Sequence, residues 1–187
     1  SYPDVYEVGM SYLGLQIIYG LLNEHSEAWC ERVFCPWPDL ETKIKENNEV
    51  LSTLESNTPL NQLDALGFSL QHEMLYTNVL TMLELGRIPI FAQERSEDCP
   101  IILAGGPCTY NPMPMVDFID AFIIGEGEDV VLEVTQLLIE LKSQNVSRQE
   151  KIEALGKIEG VFVPSLYEWT TNRHSEIFPY QPKYDSK

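Results

Sequence analysis

The sequence predicts an α/β domain built on a parallel sheet with helices on both faces. Two observations carry that expectation. Short apolar runs, Leu63–Leu70, Ile101–Ala104 and Ala121–Ile124, alternate with stretches of helical periodicity, as parallel strands buried on both faces do. Glycine-bearing loops accompany these runs: Gly67-Phe68-Ser69-Leu70-Gln71, Gly105-Gly106-Pro107 and Gly125-Glu126-Gly127-Glu128, with a related loop, Asp4 to Gly9, at the start. Loops leaving the carboxyl ends of such strands line one crevice, where ligands bind. Glycine there allows positive φ or close approach of the backbone.

Taken in order, Ser11 is placed to cap a helix running to Asn23, with Met10, Leu13, Ile17 and Leu21 on one face. Trp29–Phe34 reads as a short strand. Pro36-Trp37-Pro38-Asp39 then starts a polar helix through Glu46. Val50–Leu54 suits a short strand, and 55–62 a loop or a turn of helix. After the strand at 63–70, Leu75, Val79, Met82 and Leu83 form a helical stripe closed by Gly86. Ile88–Ala92 is a strand candidate. Val130, Val134, Leu137, Leu138 and Leu141 mark a long helix. Ser147 and Glu150 form a capping box for a helix to Ile158. Extended segments follow at 160–164 and 165–169, and 178–187 reads as a linker. The domain is expected to span 1–145 with its first strand largely missing, and a C-terminal extension to span 146–187.

Composition narrows the function. The chain has 187 residues, 44% of them hydrophobic, and a net charge of −17. That is enough to bury one good core. The charge argues against nucleic acid, because phosphate recognition needs clustered Lys and Arg. No apolar run reaches membrane-spanning length. The four cysteines, Cys30, Cys35, Cys99 and Cys108, form no CxxC pair, and free thiols in a reducing cytoplasm are expected. No three-cysteine cluster is present for an iron–sulfur centre.

Each loop has a structural reading beside the functional one. Gly105-Gly106 can admit a flat ligand or a phosphate, or simply make a tight β–α turn. Glu126 and Glu128 suit the dipole of the helix they open. They work against an anionic ligand and favour one rich in hydroxyl or amide groups. Ser69 can bind a ligand or cap the next helix. Tyr6 can face the crevice or pack on a neighbour.

Together these sites resemble the cobalamin-binding fold, whose Asp-x-His-x-x-Gly, Ser-x-Leu and Gly-Gly sites are matched at Asp4, Gly9, Ser69 and Gly105-Gly106. Tyr6 stands in the histidine position and Gln71 in the later leucine position, and 41–62 reads as an insertion. The longer strings Tyr2–Ser11, Gly67–Gln71 and Leu103–Cys108, with Ile124–Glu128 and Gly160–Ser165, are similar to the N-terminal domain of an uncharacterised radical SAM family. The resemblance implies a flavodoxin-like, cobalamin-binding-type fold. It also implies cobalamin held without a histidine lower ligand, since Tyr6 is a poor cobalt ligand unless ionised. The backbone at Ser69, Leu70, Gly105 and Gly106 would then line the nucleotide tail. Asp4, Tyr6 and Gly9 would face the corrin, with Gly125 and Gly127 at the border. The implied partner is an attached radical SAM domain carrying a 4Fe–4S cluster and SAM. This chain has no CxxxCxxC loop and is expected not to catalyse that reaction itself. The alternative is the same fold with no cofactor, serving structure or substrate recognition.

Overall fold

The computed structural model describes residues 1–25, 27–168 and 181–182. Its centre is a four-stranded sheet of β1 (Ala65–Ser69), β2 (Ile101–Gly105), β3 (Ala121–Ile123) and β4 (Val161–Phe162), in that spatial order. β1, β2 and β3 are parallel, with Ala65 beside Ile101 and Leu103 beside Ala121. β4 departs from the expected parallel sheet by pairing antiparallel to β3, Phe162 beside Phe122. It does so because two helices, 127–143 and 148–155, separate it from β3, so the chain is back at the carboxyl edge, where Ile124 N donates to Gly160 O, when β4 begins. Beyond β1 the chain start continues the sheet. The Ser1 ammonium donates to Gly67 O at 2.6 Å, Ser69 N to Ser1 O at 3.0 Å and Tyr2 N to Val33 O at 3.1 Å. Tyr2 and Phe34 form a parallel bridge.

Helices cover both faces. On one, α4 (Tyr76–Leu85) lays Val79, Met82 and Leu83 on Leu66, Phe68, Ile102 and Phe122. These are the stripe residues read from the sequence, and all are buried. Ile44 of α3 (Pro38–Glu46), with Leu51 and Leu60, joins the same core, so the segment read as an insertion is built into the domain. On the other face, Val134 of α5 (Gly127–Ser143) and Ile152 and Leu155 of α6 (Arg148–Leu155) pack on Ile101, Leu103 and Ile123. The capping box forms at α6, with the Ser147 side chain accepting from Glu150 N.

Several local expectations change. The short α1 (Tyr6–Gly9) precedes α2 (Leu13–Glu24), which starts after Tyr12 rather than at Ser11. The Ser11 hydroxyl instead donates to Val8 O. α2 buries Leu15, whereas Leu13 and Ile17 are exposed. This helix is apolar on two sides, so periodicity alone could not choose the inner one. Residues 29–33 run extended without a strand ladder, and 50–54 holds only the bridge Ser52–Pro59. Ile88–Ala92 is not a strand: Pro89 lacks a ladder donor, and Ile88 packs into the core as a loop residue. Of the last segments, β5 (Tyr167–Glu168) pairs with β6 (Gln181–Pro182). The rest of the expected linker, and Trp169, lie outside the described residues. Among the described residues no helix is long and apolar enough to cross a membrane.

At the amino edge of the sheet lies a buried charge cluster. Asp120 Oδ2 accepts from Ile102 N at 2.7 Å and from Arg148 Nη2 at 2.6 Å, and Arg95 Nη1 stands 3.1 Å away. Arg95 also donates to the carbonyls of Pro89, Ile90 and Phe118, and Arg148 to those of Cys99 and Pro100. Desolvation pulls the Arg95 guanidinium below its usual range, with Asp120 opposing that shift and Arg148 adding to it. Removing one partner from a buried ion pair leaves an uncompensated charge. Asp120→Ala is therefore expected to lower the unfolding free energy by about 3–5 kcal/mol in urea denaturation, well above the effect of Glu84→Ala on the exposed Lys45 pair.

Candidate functional site

The loops singled out by their glycines leave the carboxyl ends of the parallel strands. Ser69, Gly105, Gly106, Gly125 and Gly127 all line one cavity of ≈570 Å³. Its floor is the sheet face carrying Ala65, Gly67, Leu103 and Ile123, and its walls come from α2 (Leu15, Ile18, Leu22) and α5 (Val131, Val134, Leu138). Alternation explains the floor. In β1 the side chains of Leu66 and Phe68 point to the α4 core, which leaves Ala65, Gly67 and Ser69 on the cavity side. No hydrogen bond to the Ser69 hydroxyl occurs among the described residues. Ser69 does not cap the next helical turn, which begins at Glu73 without a side-chain cap.

The glycines differ in what requires them. A Cβ on Gly67, Gly105 or Gly125 would meet nothing within 4 Å, so these three leave open space above the backbone. Gly106 and Gly125 share a positive φ, +102° and +103°, but Gly106 is also crowded: its Cβ would lie 2.7 Å from Leu70 O and 2.9 Å from Gln71 Nε2. Two loops close on each other there: Leu70 N donates to Gly105 O at 2.7 Å, and Cys108 N to Leu70 O at 3.1 Å. Buried Thr109, which the sequence reading missed, locks this loop, its Oγ1 lying 2.8 Å from Gly106 O and 3.0 Å from Ile123 O. The available signal was a threonine three residues after a glycine, the spacing of a side-chain-closed turn.

Leu70 is not part of the cavity lining: its side chain is buried on the α4 face, and its backbone bonds to Gly105 and Cys108. Asp4, Tyr6 and Gly9 lie outside the cavity lining. Asp4 Oδ1 accepts from Val5 N at 2.7 Å. The Tyr6 ring stands edge-on to Phe34 at 5.3 Å. A Cβ on Gly9 would sit 2.5 Å from that phenylalanine ring. This loop is thus held by aromatic packing.

Acidic Glu128 in the first turn of α5 also reaches the cavity, and no basic side chain of that turn offsets it. A shallower depression of ≈320 Å³ lies beside the same edge, lined by Gln71, His72, Glu73, Tyr76 and Cys108. Burial, and then a hydrogen bond with Cys108, push the Tyr76 hydroxyl up to about 12. The cysteines are free, and burial raises Cys35 to about 11. Among the described residues no group of three or more His, Cys, Asp or Glu is placed to hold a metal ion.

Three parallel strands of a four-stranded sheet, with carboxyl-edge loops opening on one cavity, define an α/β domain with a crevice at that edge. Residues 14–164 match the family of radical SAM proteins' N-terminal domains, and the chain belongs to that family. It is also 27% identical over 136 residues to an uncharacterized protein of Methanocaldococcus jannaschii, covering 71% of this chain. The match spans about a quarter of that relative's length. No solved structure matches the chain.

The contrast between adjacent glycines is testable. Gly106→Ala forces a left-handed conformation and a backbone clash, with an expected cost of about 1–3 kcal/mol. Gly105→Ala is expected to change stability by less than about 0.5 kcal/mol. Paired urea titrations measure both.

Proposed function

We propose that this accessory domain holds cobalamin beside the radical SAM domain of its polypeptide, with no histidine from the protein on the cobalt. One observation carries the reading: Ser69, Gly105 and Gly125, from the ends of three successive parallel strands, converge on one cavity with open space over both glycines. Strand order supports it. Counting the pieces at Tyr2 and Phe34, the parallel elements run second, first, third, fourth, fifth along the sheet. That order agrees with a flavodoxin-like sheet, whose switch point would fall between the chain start and β1, beside Ser69. The residues fit the group in part. Ser69 offers a free hydroxyl, Gly67 and Gly105 leave room for a flat tail, and Glu128 suits the amide donors of a corrin. Tyr6 rests on Phe34, which agrees with a cobalt that takes no ligand from this loop. Bound cobalamin supplies an alkyl-carrying cobalt centre. This chain's own part is to seat the tail and exclude water with α2 and α5. The 4Fe–4S cluster and SAM belong, in this reading, to the attached domain.

A second reading, the same fold without a cofactor, has its own support. Packing alone accounts for Gly9 and Gly106. The carboxyl-edge loops also expose Tyr6, Trp37, Met74 (84%) and Tyr110 (74%), a surface suited to contact with another domain.

Visible-absorbance titration with hydroxocobalamin and methylcobalamin separates the two, run on the domain alone and joined to its radical SAM domain. Saturable binding with a base-off spectrum is expected. Gly105→Val, which fills the crevice without meeting protein atoms at its Cβ, is expected to weaken it at least about tenfold, or roughly 1.4 kcal/mol. A folded protein that binds neither form would leave the second reading.

A further inference from the structure

The helix α2 has two apolar faces, and the fold uses one of them. From Leu13 to Asn23 it carries no charged residue. Leu15, Ile18 and Leu22 line the cavity. Leu13, Ile17 and Leu21 recur every fourth residue along the other side and take no part in that lining. Leu13 is 66% exposed and Ile17 40%, while Leu21 is half-buried. Gly20 shares their side, and a Cβ there would meet nothing within 4 Å. Val8 and Met10, also exposed, stand in the loop just before the helix. That loop is tied to α2 by Gln16 Nε2, which donates to Met10 O at 2.9 Å.

A helix that is apolar all round is ordinarily covered all round, and contiguous exposed apolar surface marks a place of contact. The outer faces of the other helices are more polar. Exposed positions include Asp39, Thr42, Lys43 and Glu46 on α3, and Glu133 and Glu140 on α5.

Charge decides the kind of partner. Residues 1–31 hold no Lys or Arg, and Asp4, Glu7, Glu24 and Glu27 precede and follow the apolar stripe. Arg32, stacked over the Tyr19 ring of α2, is paired with Glu55. A second copy of this chain, related by a two-fold axis, would set the same acidic rim against itself, and like charges so juxtaposed oppose association. The family consists of N-terminal domains of radical SAM proteins, and the Methanocaldococcus jannaschii relative is about four times the length of the matched part. We propose that the outer face of α2 is the docking surface for the radical SAM domain of the same polypeptide, which meets it with an apolar patch flanked by Lys or Arg. Leu13 and Ile17 enter that patch, and Gly20 lets the neighbouring backbone approach the helix. Because Leu15, Ile18 and Leu22 of the same helix wall the cavity, docking braces that wall. The inference rests on the attachment proposed above and not on what the crevice holds.

The test compares this domain alone with the full polypeptide, each carrying Leu13→Cys, by the rate of maleimide labelling mapped by mass spectrometry. Gln144→Cys, on the exposed C-cap of α5, is the comparator. Circular dichroism establishes that each variant folds, and 4Fe–4S absorbance reports the radical SAM domain. Labelling at position 13 is expected to be at least about tenfold slower in the full polypeptide, as for a site that must open before it reacts, with position 144 unchanged. Adding Ile17→Lys is expected to restore most of the lost rate, and Ile17→Glu less of it, because the facing rim is basic. Equal rates at position 13 in a cluster-bearing polypeptide would overturn the docking alone. So would protection that appears in the isolated domain and grows with its concentration, which would assign the face to a second copy. Equal recovery with Lys and Glu would overturn the basic rim. A folded full polypeptide that takes up no cluster would overturn the attachment, and the docking with it.

Discussion

One carboxylate organises the amino edge of this domain. Asp120 is buried just before β3, and its side chain reaches across to the Ile102 amide of β2 while facing two guanidinium groups. Arg95 gathers the carbonyls of the 89–118 connection, and Arg148 fixes the first turn of α6. Two cations against one anion are tolerable only because five backbone carbonyls share the excess charge. Buried polar networks are costly where incomplete, and Arg95 Nη1 has only its ion pair with Asp120 and no hydrogen bond among the described residues. The cluster therefore ties the position of α6 to the register of the sheet, and through α6 it ties β4 to β3.

The carboxyl edge is built on the opposite principle. There the backbone is close-packed where Gly106 meets Leu70 and Gly9 meets Phe34, and is open above Gly105 and Gly125. Rigid anchoring at one edge thus contrasts with open space and exposed aromatic and apolar side chains at the other.

Much of this was legible in the residues. Continuous apolar runs located β1, β2 and β3, because strands covered on both faces leave no polar position. The α4 stripe and the Ser147–Glu150 box were readable because one-sided amphipathicity and capping are local properties. Where the pattern was ambiguous the reading failed for physical cause. α2 is apolar on two sides, and only packing against Tyr2, Tyr12 and Phe34, far off in the chain or outside the helix, selects Leu15 over Leu13. Ile88–Ala92 has strand composition, but Pro89 and the grip of Arg95 on its carbonyls hold it as a loop.

The site divides along the same line. Sequence alone determined the α/β class, the positions of β1, β2 and β3 and the identity of the glycine loops, since these follow from periodicity and backbone freedom within a few residues. Tertiary structure decided which glycines face a cavity and which merely let two loops touch. It turned Tyr6 onto Phe34, gave Thr109 its place behind Gly106, and set Asp120 between two arginines. Each of those outcomes depends on groups far apart in the chain, brought together only when the sheet assembles.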